Sequence, residues 1–183
     1  MRDRPRTSTF LNNLVLADGW SPGVLALRSF TSYSSSDYNG FRVNPGAEYS
    51  FEWDTPAGGA RMDYEGKLDV HRFRTLRDYS ETTGQDRHSV PVDFGVFVKV
   101  RVPDKADPQH LYNPEDFDFS LKRRSAAIDA GIELPTITDG FTGKAPDLGA
   151  YERGRAIPHY GPRVWPVGSR QADAPRSVRG PVQ

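Results

Sequence analysis

Between residues 9 and 53 the chain reads TFLNNLVLA (9–17), DGWSPG (18–23), VLAL (24–27), FTSY (30–33), SSSDYNG (34–40), FRV (41–43) and YSFEW (49–53). Short apolar runs alternate with polar corners, and the corners hold the residues that turn a chain: Asn, Asp, Ser, Gly and Pro. The Asn12-Asn13 pair suits a tight bend, because Asn tolerates left-handed backbone and bonds neighbouring amides. In the last run Tyr49, Phe51 and Trp53 alternate with polar residues, so the three rings share one face of a strand. Such a succession of strands and corners predicts the coils of a solenoid, each leaving an apolar face for its neighbour to cover.

Past Trp53 the pattern changes. Phe73, Leu76, Tyr79 and Thr83 recur at helical spacing and Gly84 follows as a stop, predicting an amphipathic helix over residues 70–83. Val92, Phe94, Val96, Val98, Val100 and Val102 alternate with Asp93, Lys99 and Arg101, which predicts a long strand with one buried face. A polar loop with three prolines, residues 103–115, precedes a short strand at Phe117, Phe119 and Leu121. Residues 125–160 are glycine-rich and irregular. From Val164 onward there is little to bury, and that tail is expected to be disordered or draped over the surface.

Composition narrows the function classes. The 183 residues are 36% hydrophobic, with 17 Gly and 15 Pro, which favours turns over long helices. Twenty-four basic residues balance 24 acidic ones, so there is no sustained positive field for nucleic acid. Cysteine is absent, excluding disulfides, thiolate metal sites and cysteine nucleophiles. The opening MRDRPR has basic residues with no apolar run behind it and does not read as a signal peptide; no stretch is long enough to span a bilayer.

Two segments near the end are specific: RSAAIDAG at 124–131, and DGFTG at 139–143 followed by APDLGAYE at 145–152. Their order resembles the ending of many bacterial right-handed parallel β-helix proteins of the pectin-lyase-like kind. There a Ser-Pro-Ala-Ile-Asp-x-Gly element precedes an Asp-x-x-Gly turn and a closing Asp-Ile-Gly-Ala-Tyr-Glu. Ala126 stands in place of the usual proline and Leu148 in place of the isoleucine. Ser36-Asp37-Tyr38-Asn39 is similar to a corner of late coils in such proteins. The resemblance implies a mainly all-β fold: the C-terminal coils of a right-handed parallel β-helix, with one short amphipathic helix and an irregular capping segment. Residues 1–60 would be terminal coils, 61–163 the helix, long strand and capping region, and 164–183 the tail. Ile128, Leu148, Ala150 and Tyr151 would lie over the open solenoid end, suppressing edge-to-edge aggregation.

The function so implied is that of a non-catalytic terminal or capping module of a polysaccharide-associated protein, carbohydrate-binding, and secreted or periplasmic. Self-association or a partner β-helix chain would complete it. The alternatives are a small polysaccharide lyase or glycoside hydrolase acting on acidic polysaccharide, and a truncated or split protein. Sugar rings stack on aromatic faces while their hydroxyls pair with polar side chains, so Trp20, Tyr33, Asp37, Tyr38, Asn39 and Trp53 are the candidate carbohydrate contacts. Packing within the core is the competing role for the same rings. Glu52 and Asp54 flank Trp53 as a carboxylate pair of the kind glycoside hydrolysis uses. Asp139, Asp147 and Glu152 could supply oxygens to calcium, although carboxylates beside glycines commonly accept backbone N–H bonds in turns. No other cofactor is expected. His71, His88, His110 and His159 lack metal-ligand spacing. GFTGK at 140–144 has the wrong glycine spacing for a phosphate loop, with Ala145 where a hydroxyl should follow.

Overall fold

The computed structural model describes residues 9–18, 23–29, 34–59, 66–107 and 109–157. Six strands come from the opening runs: β1 (Thr9–Leu11), β2 (Leu14–Leu16), β3 (Leu25–Arg28), β4 (Ser35–Asp37), β5 (Gly40–Arg42) and β6 (Phe51–Pro56). They pair in parallel, β1 with β4, β2 with β5 and β3 with β6. Thr9 lies opposite Ser35, Leu14 opposite Gly40 and Leu25 opposite Phe51, a constant step of 26 residues.

The step is not continued. β7 (Leu68–Phe73) returns antiparallel along the free edge of β6, and α1 (Leu76–Thr83) follows it. β8 (Val90–Pro91) adds two residues to β5 in parallel, while β9 (Phe97–Lys99) and β10 (Asp118–Leu121) pair antiparallel. Among the described residues two two-stranded and two three-stranded sheets result. Among the described residues there is no solenoid and no closed sheet. The expected mainly all-β fold of terminal parallel β-helix coils is therefore corrected to a small mixed α/β domain. The departure begins at the end of β6. Gly58, at φ 66°, ends the run of β6, and the chain folds back instead of advancing another step.

Two other expectations change for local reasons. The helix begins at Leu76, not at residue 70, because the Thr75 side chain caps it by accepting the Asp78 N–H (3.1 Å), and residues 68–73 are held as a strand by β6. Gly84 ends it in the left-handed conformation, with its N–H on the Ser80 carbonyl. The long strand at 92–102 is broken, because the Asp93 side chain accepts the Gly95 N–H at 2.6 Å and folds Phe94–Val96 into a 3₁₀ turn. Its alternating valines do not share a buried face: Val98 and Val102 are exposed.

Two apolar clusters hold the described residues together. The first gathers Leu25, Phe41, Phe51, Trp53 and Tyr79, with Phe73 and Leu76 against it, and so draws on both sides of the expected boundary at residue 60. Phe51 stacks on Tyr79 with ring centroids 4.9 Å apart. Burying each such ring stabilises by roughly 2–3 kcal/mol. The second cluster holds Val96, Leu121, Ala127 and Leu148, with Leu14 and Val90 against it. Strand alternation separates the two. In the β2-β5-β8 sheet, Val15 and Phe41 point into the first cluster, while Leu14, Gly40 and Val90 face the second.

The closing segment consequently covers the outer face of a sheet rather than the open end of a solenoid. A Cβ at Gly40 would sit 2.6 Å from Leu14 and 3.3 Å from Leu148, so only glycine lets the segment lie this close. Backbone bonds fasten it: Leu148 N–H to the Ala127 carbonyl (2.8 Å) and Gly149 N–H to the Asn12 carbonyl (2.9 Å). The tail expected over 164–183 lies outside the described residues.

Candidate functional site

The corner between β4 and β5 brings two of the sequence candidates to the surface. Tyr38 takes a left-handed conformation (φ 52°), which turns the chain sharply after Asp37. Asp37 then organises what surrounds it. One carboxylate oxygen accepts the backbone N–H of Tyr38 (2.9 Å) and of His88 (2.8 Å), and the other meets His88 Nδ1 at 2.7 Å. Burial alone would raise the Asp37 carboxyl. The His88 side-chain bond, the two backbone N–H groups and the imidazole charge together hold it below the ordinary 3.8. The Tyr38 ring lies flat against His88, with centroids 4.7 Å apart and planes 11° from parallel. With Nδ1 fixed by Asp37, the Nε2 edge of a largely exposed imidazole is available to a ligand.

Two further carbohydrate candidates, Asn39 and Trp53, do not join this corner. Asn39 is fully buried and Trp53 nearly so, in the first apolar cluster. The Asn39 side chain is a structural node. Its Nδ2 donates to the Phe10 carbonyl (2.9 Å), Ser36 Oγ (3.2 Å) and Asp86 Oδ1 (3.0 Å), and its Oδ1 accepts from the Asn13 backbone (2.9 Å) and side chain (3.1 Å). Neither residue offers a face to a sugar. Trp20 and Tyr33 lie outside the described residues.

Glu52 and Asp54 stand on one face of β6, opposite Arg72 and Arg28 on the neighbouring strands. Glu52 pairs with Arg72 Nε at 2.6 Å. Asp54 is 6% exposed and its Oδ1 has no hydrogen-bond partner. Burial first, then the Glu52 charge, raises the Asp54 carboxyl above 3.8, against the pull of Arg28, Arg72 and His71.

Asp139, Asp147 and Glu152 line one cavity of about 330 Å³. Their oxygens are engaged by the chain itself. Asp139 accepts from Thr136 (2.9 Å), Asp147 from Asp129 (2.8 Å) and Arg153 (2.7 Å), and Glu152 from Thr142 (3.0 Å) and Asp147 (3.0 Å), all backbone N–H groups. Desolvation raises the Asp147 carboxyl despite those donors. This is the donor pattern of a folded turn, and among the described residues no group of three or more His, Asp or Glu is arranged to hold a metal ion. His110 contacts Asp107 at 3.2 Å, and His159 lies outside the described residues.

The participant that sequence spacing did not reveal as part of this corner is His88, 51 residues from Asp37 and brought to it by the β5–β8 pairing. Among the described residues no helix is long and apolar enough to cross a membrane. No family model, curated protein or solved structure matches the chain.

Proposed function

We propose that this chain is a non-catalytic polysaccharide-binding module that contacts its ligand at the Asp37–Tyr38–His88 corner. The observation that carries the reading is the flat Tyr38–His88 stack beside a carboxylate that fixes the imidazole. Sugar rings pack on aromatic faces, and their hydroxyls bond to oriented polar edges, which this corner presents together. A polymer ligand of that kind suits a secreted or periplasmic setting. Affinity gel electrophoresis against pectate, alginate and glycosaminoglycans, with and without calcium, tests it: retardation by at least one polymer is expected, abolished in Tyr38→Ala and His88→Ala. Native mobility of both variants in a gel that retards the unmodified chain would count in favour; equal retardation of all three would sink the corner.

A catalytic reading has one specific observation behind it. Asp37 fixes the His88 tautomer, leaving Nε2 as a proton acceptor, the arrangement a general base requires. A rise in absorbance at the unsaturated-product band with uronate polymers would establish a lyase; its absence in every polymer would leave binding alone. Self-association is the third expectation. Among the described residues β1, β2 and β3 are each paired along one edge only, and an open edge is a template for another chain. We expect a dimer or larger species in sedimentation at micromolar concentration, and a monomer there would remove the idea.

A further inference from the structure

The β9–β10 pair carries a continuous row of rings that no candidate above includes. Phe97 meets Phe119 at 5.4 Å between centroids, Phe119 lies beside Phe117 at 5.9 Å with planes 16° apart, and Phe117 meets Tyr112 at 5.6 Å. Phe117, just after the 3₁₀ turn at Pro114–Asp116, and Phe119 in β10 lie nearly parallel, and Phe119 is 48% exposed. Phe119 is the exposed member of the row, with Phe97, Phe117 and Tyr112 partly buried around it, and a ring left half in water beside others marks a contact surface more strongly than scattered apolar residues do. At its inner end the row opens into a groove of about 460 Å³ lined by Leu14, Phe97, Phe119 and Tyr151, with Asn12 at the edge. The Asn12 backbone N–H donates to the Tyr38 carbonyl at 2.9 Å, which ties one edge of the groove to the backbone of the Asp37–Tyr38–His88 corner.

The row also carries a charge. Arg101 sits over Tyr112 (5.1 Å) and Phe117 (5.7 Å), and none of the ion pairs among the described residues includes it. A guanidinium held by ring faces keeps its N–H edge free for a carboxylate or sulfate. We infer that the ring row and its groove form the track of an anionic glycan chain, whose sugar faces stack on Phe119 and Phe117 while Arg101 pairs with an acidic substituent. This deepens the polysaccharide-binding reading and rests on it. Ring stacking without the guanidinium would accept neutral sugars equally, so Arg101 is the source of preference for charge.

Calorimetric titration of the full chain with polygalacturonate and with its methyl-esterified form, which keeps the rings and removes the charge, separates the two contributions. Phe119→Ala is expected to weaken binding to both polymers by about tenfold, and Arg101→Gln to weaken polygalacturonate by about tenfold while leaving the ester unchanged. Near-UV circular dichroism confirms that both variants fold. Native affinity in both variants, with binding lost in Tyr38→Ala, would overturn the track and leave the corner standing. No binding of any polymer by the unmodified chain would overturn both. A change confined to the sedimentation coefficient of Phe119→Ala would assign the row to contact between copies and overturn the inference.

Discussion

Asn39 and Tyr38 are neighbours in the chain and occupy opposite sides of one corner. Asn39 turns inward, where it ties β1, β4 and the 86–89 segment together and is fully enclosed. Tyr38 turns outward and lies on His88, with Asp37 beside it. Both sides draw on the same two stretches, 36–39 and 85–89, so the inner network fixes the spacing of the outer group. Asp86 and Ser89 bond to Asn39 from within, and His88 between them is thereby carried to Asp37. A surface group held by a buried network needs little ordering when a ligand arrives, which is how a fold raises affinity without adding contacts.

Breaking the inner side should have the largest effect. Asn39→Ala removes the acceptor for two Asn13 donors and leaves Asp86 Oδ1 with one fewer partner, in a region where its Oδ2 already has none. Buried groups stranded in this way cost about 3 kcal/mol, read as a lower urea midpoint at unchanged slope. Polymer binding should fall with it, because His88 loses its support. A midpoint within error of the native value would show that the corner does not depend on the inner network.

The outer side should respond less and with a pH signature. Asp37→Asn removes a carboxylate held below its ordinary value by its donors. A carboxyl lowered in the folded state favours folding at pH values above its unfolded value, and that contribution disappears as pH falls through the folded value. The variant should therefore be less stable by about 1 kcal/mol at neutral pH, and the difference should close below the ordinary 3.8. Thermal melts at pH 7 and pH 3 check both points; a deficit that persisted undiminished in acid would mean that the charge is not what matters.

Much of this contrast was legible in part. Short apolar runs between polar corners located β2, β3, β5 and β6, and the alternation at Phe117, Phe119 and Leu121 located β10. β7 was not legible, because its middle residues are exposed and it is a strand only by pairing with β6. The valines of 92–102 alternate without a shared buried face, since the Asp93 cap is a stronger local instruction than periodicity. At the corner, Asp37 and Tyr38 were visible as turn residues, while His88 arrives through long-range pairing. The burial of Asn39 did leave a trace. Asn13 precedes it by the same 26 residues that separate the paired strands, and the two side chains bond at 3.1 Å.

Asp54 extends the comparison to a second buried polar group, one whose burial is not matched by donors. Its Oδ1 has no partner, and desolvation followed by the Glu52 charge raises its carboxyl, the reverse of Asp37. A carboxyl raised in the folded state favours folding below its unfolded value, and that advantage is lost as pH climbs through the folded value. At neutral pH the ionised Asp54 therefore weighs against the fold. Asp54→Asn keeps the shape and removes the charge, so it should raise the melting temperature slightly at pH 7, by an amount that shrinks as pH falls toward 3.8. Arg28 and Arg72 set the limit on that gain, because each now attracts the carboxylate that the variant lacks. A melting temperature lowered at pH 7 would mean that their attraction outweighs desolvation. Asp54 would then be an ion-pair partner on the β6 face rather than a strained acid.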